Sequence, residues 1–120
     1  MGADVTARHN RAVQWASANG HLDVVRYLVS LGADVTADDN AAVRHASCEG
    51  CLDVVRYLVS LGADVTAKDN YAVKLASQNG RIDVVRLLID EYKMDPNEKT
   101  SAGQTVKEIA HPNIKGQMGW

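Results

Sequence analysis

The chain has 120 residues, of which 46% are hydrophobic and 23% charged, with a formal net charge of −2 at pH 7. This composition is that of an ordinary globular domain. With a pI near 6.0 the chain lacks the excess positive charge that attracts the phosphate backbone of a nucleic acid, so a nucleic acid is not an expected partner. The sequence contains no apolar run of about 18 residues and no signal-peptide core at its start. We therefore expect no association with a membrane and a cytoplasmic location, with the nucleus as the alternative.

Three copies of a thirty-residue unit follow one another without a gap, at residues 2–31, 32–61 and 62–91. Each copy begins GADVTA and continues through N, AV, AS, G and DVVR to an aliphatic pair. Repetition at a fixed period is typical of a solenoid, in which every unit stacks on its neighbours. We therefore expect a single domain over residues 1–120, closed by a degraded fourth copy at 92–120.

The first helix of each copy is predicted from small apolar residues at helical spacing. In the second copy Ala42 and Ala46 share one stripe and predict a helix from about residue 41 to 48. Asn40 precedes it as the expected N-cap, and Gly50 is expected to end it with a positive φ. The same N-cap role is expected for the equivalent asparagines, Asn10 and Asn70.

A second helix is predicted from about Leu52 to Ser60, with Asp53 in its first turn, where a negative charge complements the helix dipole. Asp53 is expected to pair with Arg56 three positions on. Helices this short are marginal below about 12–15 residues, so their stability must come from neighbouring copies. The residues expected to face inward are Leu52, Val55, Leu58 and Val59.

These residues resemble the ankyrin repeat across essentially the whole chain, which implies an all-α solenoid of stacked helix–turn–helix units. The segment from Asp39 to His45 is about three residues shorter than in the family and lacks its Thr-Pro pair, so we expect a blunted hairpin. The compressed form is similar to ankyrin repeats of giant DNA viruses and amoebae. The matching residues of one unit are Ala46, Ser47, Gly50, Leu52, Val54, Val55, Leu58, Val59, Gly62, Ala63, Asp64 and Val65.

The two ends of the chain differ from the internal copies. Residues 92–120 resemble the longer family form from Asp95 to Ala110 and are interpreted as a truncated capping repeat with one helix, stopped by Pro112. The first copy has no helix pair before it, so we expect Val13 and Trp15 to be incompletely covered. Trp15 aligns with His45 and Leu75, and this mixed set predicts a half-buried position between units.

The resemblance implies a non-catalytic protein-binding module whose turns and first-helix ends form a concave surface for a protein partner. Positions that vary between copies are the candidates for specificity, and Tyr71 and Arg11 are residue types that often anchor interfaces. The alternative for each is an ordinary solvated side chain. The candidate partner-binding residues are Arg8, His9, Arg11, Asp38, Asp39, Arg44, Glu49, Lys68, Tyr71, Lys74 and Gln78.

Two alternatives to protein binding follow from other residues. Cys48 and Cys51 form a CxxC near His45 and His21, which could hold a metal such as zinc or cycle as a dithiol. The pattern is weak because other copies accept any residue at these positions, so no cofactor is expected. The chain contains no phosphate-binding glycine loop, HExxH or GxSxG, and we expect no enzyme activity.

Self-association is the third interpretation. Nearly identical units can stack on one another between chains as they do within a chain, and the first copy lacks an evident cap. We therefore expect weak homo-oligomers through this uncapped N-terminal repeat. The residues expected near the contact are Val13, Trp15, Val25 and Val29.

Overall fold

The computed structural model describes residues 2–99 and 102–120, with side chains from Thr6 onward. These residues contain helices but no strand, only an isolated bridge between Lys99 and Thr105, so the all-α prediction is confirmed. None of the described helices is long and apolar enough to span a membrane. The helices are α1 Gly2–Ala18, α2 Leu22–Ser30, α3 Ala37–Glu49, α4 Leu52–Ser60, α5 Ala67–Gln78, α6 Ile82–Arg86, α7 Val106–Ile109 and α8 Pro112–Met118, and α6 continues as a π-helical turn, Leu87–Glu91.

The helices stack in two layers, with α1, α3 and α5 side by side in one layer and α2, α4 and α6 in the other. The predicted bounds of α4 are confirmed, and Val55 and Leu58 are buried while Leu52 and Val59 are half-buried. Val54 is buried as well, because this side of α4 faces the preceding unit. The stack is therefore held by aliphatic contacts within each helix pair and between pairs.

The end of the stack that begins with α1 differs from the sequence-based expectation. Val13 and Val25 are fully buried, because α2 and α3 together cover the inner side of α1. Trp15, predicted to be half-buried, is instead 61% exposed, since its side of α1 faces away from these helices. The expected self-association contact is thus wrong in its composition, because Val13 and Val25 belong to the core.

The first turns of α3 and α5 each contain three consecutive residues in the left-handed region. In α3 they are Asp38, Asp39 and Asn40, with φ of 56°, 56° and 62°, and in α5 they are residues 68–70. The regular part of α3 begins only at residue 41, as predicted, and Gly50 ends it with φ 79°. In the first copy the equivalent backbone is an uninterrupted part of α1, so GADVTA is helical there.

The repeated asparagines fasten one unit to the next. The backbone N–H of Asp64 donates to Asn40 Oδ1 over 2.9 Å, and that of Asp34 donates to Asn10 Oδ1 over 2.7 Å. The predicted N-cap role is therefore wrong for Asn40, whose left-handed backbone turns its amide toward the following unit. Asparagine suits this position because its short polar side chain tolerates a positive φ.

Arg56 also connects two units. Its guanidinium forms a two-pronged contact with Glu91, with N–O distances of 3.0 and 3.1 Å. The sequence-based pairing of Arg56 with Asp53 on the same helix is therefore replaced by a pair that joins α4 to the π-helical turn. Both side chains are about half exposed, so solvent screens the pair and its contribution to stability is small.

The C-terminal stretch contains two short helices where one was predicted, although α7 does end before Pro112. Pro112 instead occupies the first turn of α8, where its missing N–H costs nothing. His111 caps this helix by accepting from Asn113 N at Nδ1, and its own N–H donates to Ser77 O over 2.7 Å. Ile114 is fully buried, so α8 closes the core behind the third copy.

Candidate partner-binding surface

The predicted partner-binding residues begin at the left-handed first turns of α3 and α5, where side chains of successive units meet. Gln14 Nε2 donates to Asp38 Oδ2 over 2.9 Å, which joins the first copy to the second. Lys68 Nζ lies 3.3 Å from Asp39 Oδ2 and joins the second copy to the third. One amide–carboxylate hydrogen bond and one ion pair therefore link successive units along this edge of the stack.

Arg44 is the centre of this edge. Its Nε donates to the carbonyl of Asp39 and its terminal nitrogen to the carbonyl of Asp38, each over 3.0 Å. The same guanidinium lies 5.2 Å from the ring centroid of Tyr71 on the next unit, a cation–π arrangement. One side chain thus holds the left-handed turn and orients the aromatic ring beside it.

We call the surface formed by these connected residues the turn surface. Lys74 extends it, with its Nζ 3.7 Å from Asp69 Oδ2. Gln14 was absent from the predicted set although it aligns with Arg44 and Lys74, and the same variation between copies identifies it. The turn surface consists of Gln14, Asp38, Asp39, Arg44, Lys68, Asp69, Tyr71 and Lys74.

The other predicted residues lie apart from this connected group. Arg8 and Arg11 are exposed and His9 is half-buried along α1. Glu49 and the exposed Gln78 lie at the C-terminal ends of α3 and α5, away from the turn surface. Glu49 Oε2 is 3.9 Å from a guanidinium nitrogen of Arg81, a residue that the sequence analysis did not select. The predicted set therefore divides into an α1 group, the turn surface and a group near the inter-helix turns.

Each turn is positioned by a repeated Asp-x-Thr contact. Asp64 Oδ1 accepts from the backbone N–H and the hydroxyl of Thr66, over 2.8 and 2.6 Å. Asp34 accepts in the same way from Thr36. The hydroxyl and then the backbone donor hold the pKa of each carboxyl below its usual value, because they stabilise the charged form.

The two thiols turn toward opposite neighbours. Cys51 Sγ donates to Ala18 O of the preceding copy over 3.7 Å, while Cys48 Sγ accepts from Asn79 Nδ2 of the following copy over 3.0 Å. Burial, followed by the charge of Glu49, raises the pKa of both thiols. Within the described residues, no three or more His, Cys, Asp or Glu side chains are grouped as a metal site.

Two surface clefts lie away from the turn surface. One of about 330 Å³ is lined by Gly20, Cys51 and α4 residues, and another of about 190 Å³ lies between α4 and α6 beside Arg56. Both are open clefts along the second helices and inter-helix turns. The turn surface itself is a polar face of charged and amide side chains with one aromatic ring, a composition suited to contact with a macromolecule.

The chain matches the protein-family model described as ankyrin repeats in three copies. The matched segments are residues 1–69 and 41–100, which together cover most of the chain. A search of curated proteins finds no significant match. The family match agrees with the stacked helix pairs and with the repeated inter-unit contacts.

Proposed function

The chain belongs to the ankyrin-repeat family, whose domains are in general protein–protein interaction modules and typically not enzymes, and from this premise we propose that it is a non-catalytic protein-recognition module. The observation that carries the proposal is Arg44, which fixes both the turn carbonyls and the Tyr71 ring. A surface ordered before binding loses little conformational entropy when a partner docks. The module acts as a rigid scaffold with no cofactor, in the cytoplasm or nucleus.

The proposed contact begins on the turn surface and extends to the α1 group and to the inter-helix turns. Tyr71 and Arg11 are its proposed anchors, because aromatic rings and guanidinium groups contribute most at interfaces. The opposite charges of Asp39 and Lys68 provide orientation and selectivity more than affinity. The proposed partner-binding residues are Arg8, His9, Arg11, Asp38, Asp39, Arg44, Glu49, Lys68, Tyr71, Lys74 and Gln78.

Affinity capture from the cells that express the chain, followed by calorimetry with the purified partner, tests this proposal. Tyr71→Ala and Lys74→Glu are expected to weaken binding at least tenfold, equivalent to about 1.4 kcal/mol. Arg86→Ala, an exposed position on α6, is the matched control and should bind as the parent chain does. Unchanged melting temperatures show that the variants remain folded. A partner lost with the α6 variant and retained with Tyr71→Ala would overturn the proposal.

The metal or dithiol alternative at Cys48 and Cys51 is not favoured by the geometry. The thiols contact opposite units, and their pKa values are raised, whereas reactive or metal-bound thiols need the thiolate. Zinc titration with counting of free thiols is expected to change neither thiol reactivity nor melting temperature. A stoichiometric loss of free thiols with added zinc would restore the alternative.

A further inference from the structure

Asparagine precedes glycine twice in the chain, at Asn19–Gly20 and at Asn79–Gly80. This dipeptide is especially prone to spontaneous deamidation, because glycine has no Cβ to hinder its backbone nitrogen. In that reaction the glycine nitrogen attacks the asparagine Cγ and ammonia leaves. The resulting succinimide adds water and opens to aspartate or isoaspartate. The two dipeptides occupy equivalent positions, directly after α1 and α5.

The side chain of Asn79 connects the third copy to the second. Its Nδ2 donates to Cys48 O over 3.2 Å and to Cys48 Sγ over 3.0 Å. Arg81 reinforces this connection, because its Nε donates to the same carbonyl over 3.2 Å. We call Cys48, Asn79 and Arg81 together the seam contact. The amide of Asn19, by contrast, bonds within its own helix, to Trp15 O over 2.8 Å.

The atoms that would react at Asn79 and Gly80 are accessible from solvent and weakly restrained by their own turn. Asn79 is exposed and Gly80 is half-buried, in the turn between α5 and α6. The backbone N–H of Gly80 donates to Ser77 O over 3.4 Å, which is long for a hydrogen bond. The stronger restraint is the seam contact, because it holds the Asn79 nitrogen that must leave as ammonia on two acceptor atoms.

The second copy shows how an acidic residue behaves at this position. Glu49 is the equivalent of Asn79, and its carboxylate has no hydrogen to donate to the carbonyl of Ala18, the equivalent of Cys48. Its Oε2 lies instead 3.9 Å from a guanidinium nitrogen of Arg81 in the following copy. An acid at position 79 therefore loses both hydrogen bonds to Cys48 and places negative charge against two acceptor atoms.

We propose that Asn79–Gly80 is a site of spontaneous deamidation, and that its product releases the seam contact between the second and third copies. Water is the only co-reactant, and it replaces the side-chain nitrogen, which leaves as ammonia without any change of oxidation state. Opening of the seam frees the Asn79 amide and accelerates the reaction, and the reaction in turn weakens the seam. The modification goes beyond partner recognition, because it changes the stack itself.

Isoaspartate is the more disruptive of the two products. It routes the main chain through the side-chain carbons, which adds a methylene group to the backbone before Gly80. A Cβ placed on Gly80 would already lie 3.5 Å from the His111 ring, so this turn packs closely against the residue that caps α8. A longer backbone therefore disturbs the packing of the C-terminal helix as well as the seam contact.

The test is incubation of the full chain at mildly alkaline pH, followed by peptide mapping with mass spectrometry. Isoaspartyl methyltransferase with a labelled methyl donor detects isoaspartate in the same peptides. We expect conversion at Asn79, and Arg81→Ala should accelerate it about fivefold, the factor that corresponds to one net hydrogen bond. Conversion at Asn19 should not respond to this substitution. Arg86→Ala, another exposed arginine of α6, is the matched control and should leave both rates unchanged.

A pair of substitutions measures the effect of the product on the seam. Asn79→Asp should lower the urea midpoint more than Asn19→Asp does, because both acids lie directly after a first helix but only residue 79 bonds to a neighbouring copy. Thermal melting of the Arg81→Ala and Arg86→Ala chains shows whether they remain folded. No binding partner is needed, so this test is independent of that of the proposed function.

Three results would overturn the proposal. Asn79 could remain intact in the folded chain while an unfolded peptide of the same sequence converts completely. Alternatively, Arg81→Ala could leave the rate at Asn79 unchanged in a folded chain. Equal losses of stability for Asn79→Asp and Asn19→Asp would show that the product does not act on the seam.

Discussion

At the scale of single residues, the three equivalent buried serines differ in one hydrogen bond. Ser17 Oγ donates to Val13 O over 2.6 Å, whereas the hydroxyls of Ser47 and Ser77 have no hydrogen-bond partner in the described part of the chain. We predict that Ser47→Ala raises the free energy of unfolding by about 1 kcal/mol, because it removes an unsatisfied buried hydroxyl. Ser17→Ala should lower it by a similar amount. Urea denaturation of both variants measures the difference, and two equal effects would contradict the prediction.

Asn10 and Asn40 allow the contribution of a hydrogen bond to stability to be measured separately from that of a left-handed backbone conformation. Asn10→Ala loses only the bond to Asp34 N, because Asn10 lies in a regular helix, and should cost about 1 kcal/mol. Asn40→Ala loses the bond to Asp64 N and also places alanine at a positive φ, adding about 1–2 kcal/mol. Asn40→Gly should recover part of that second loss. Denaturant midpoints test this order, and equal losses for Asn10→Ala and Asn40→Ala would contradict it.

The turn carboxyls make stability depend on pH in a known direction. The pKa of Asp64 is lowered in the folded chain, so its contribution is present above its unfolded pKa and is lost as the pH falls through the folded value. Thr66→Val removes the hydroxyl donor and should raise the pKa of Asp64 toward the usual value of an aspartate carboxyl, with the backbone donor still in place. Carbon NMR of the carboxyl groups measures this shift. Asp34 is the internal control and should titrate unchanged.

The structural roles of single polar residues could not be predicted from their residue types alone. Asn40 satisfies every sequence rule for an N-cap, yet it occupies a left-handed turn and bonds to the next unit. The same side chain suits both situations, because asparagine accepts hydrogen bonds and tolerates a positive φ. Arg56 was assigned to Asp53 because only neighbours in sequence are visible before folding, whereas Glu91 reaches it from another unit. Contacts between units were thus the least predictable feature.

At the scale of elements, periodic apolar residues predicted the internal helices well. The bounds of α4 matched, and the start of the regular part of α3 matched as well. The C-terminal helices were harder to predict, because proline stops one helix and starts another equally well. Pro112 does the latter, with His111 as its cap. A proline alone therefore could not distinguish one helix from two.

The same element gives a test of the C-terminal cap. Ile114→Ala in α8 is expected to lower the free energy of unfolding by about 2–5 kcal/mol, because a fully buried aliphatic side chain leaves a cavity. Ile109→Ala is the matched control, since Ile109 is only half-buried and should cost less. Thermal and urea unfolding measure both variants. An Ile114→Ala chain as stable as the parent would show that α8 does not close the core.

At the scale of the whole molecule, stability arises from the stacking of copies. We predict that a peptide of residues 32–61 is unfolded in isolation, because its helices are short and Val54 and Val55 are buried only within the stack. Circular dichroism should show little helix and no cooperative melting. The full chain is the control and should melt cooperatively. A cooperative helical transition in the isolated peptide would contradict the prediction.

The overall architecture was predictable because a repeated pattern specifies its own neighbours, and the family match agrees with it. The exposure of single residues in the first copy was harder to predict, because it depends on which side of α1 each residue occupies. Val13 is buried by the helices behind it, whereas Trp15 faces outward. For the candidate site, variation between copies identified the turn residues, but only the folded chain shows that Arg44 connects two of them to Tyr71.

The opposite orientations of the two thiols give the chain a pair of independent reporters. Cys51 is half-buried against the first copy and Cys48 against the third, so the accessibility of each thiol increases when a different seam of the stack opens. Chains that retain a single cysteine would let alkylation rates time the two openings separately. The order of those rates would reveal from which end the array begins to come apart.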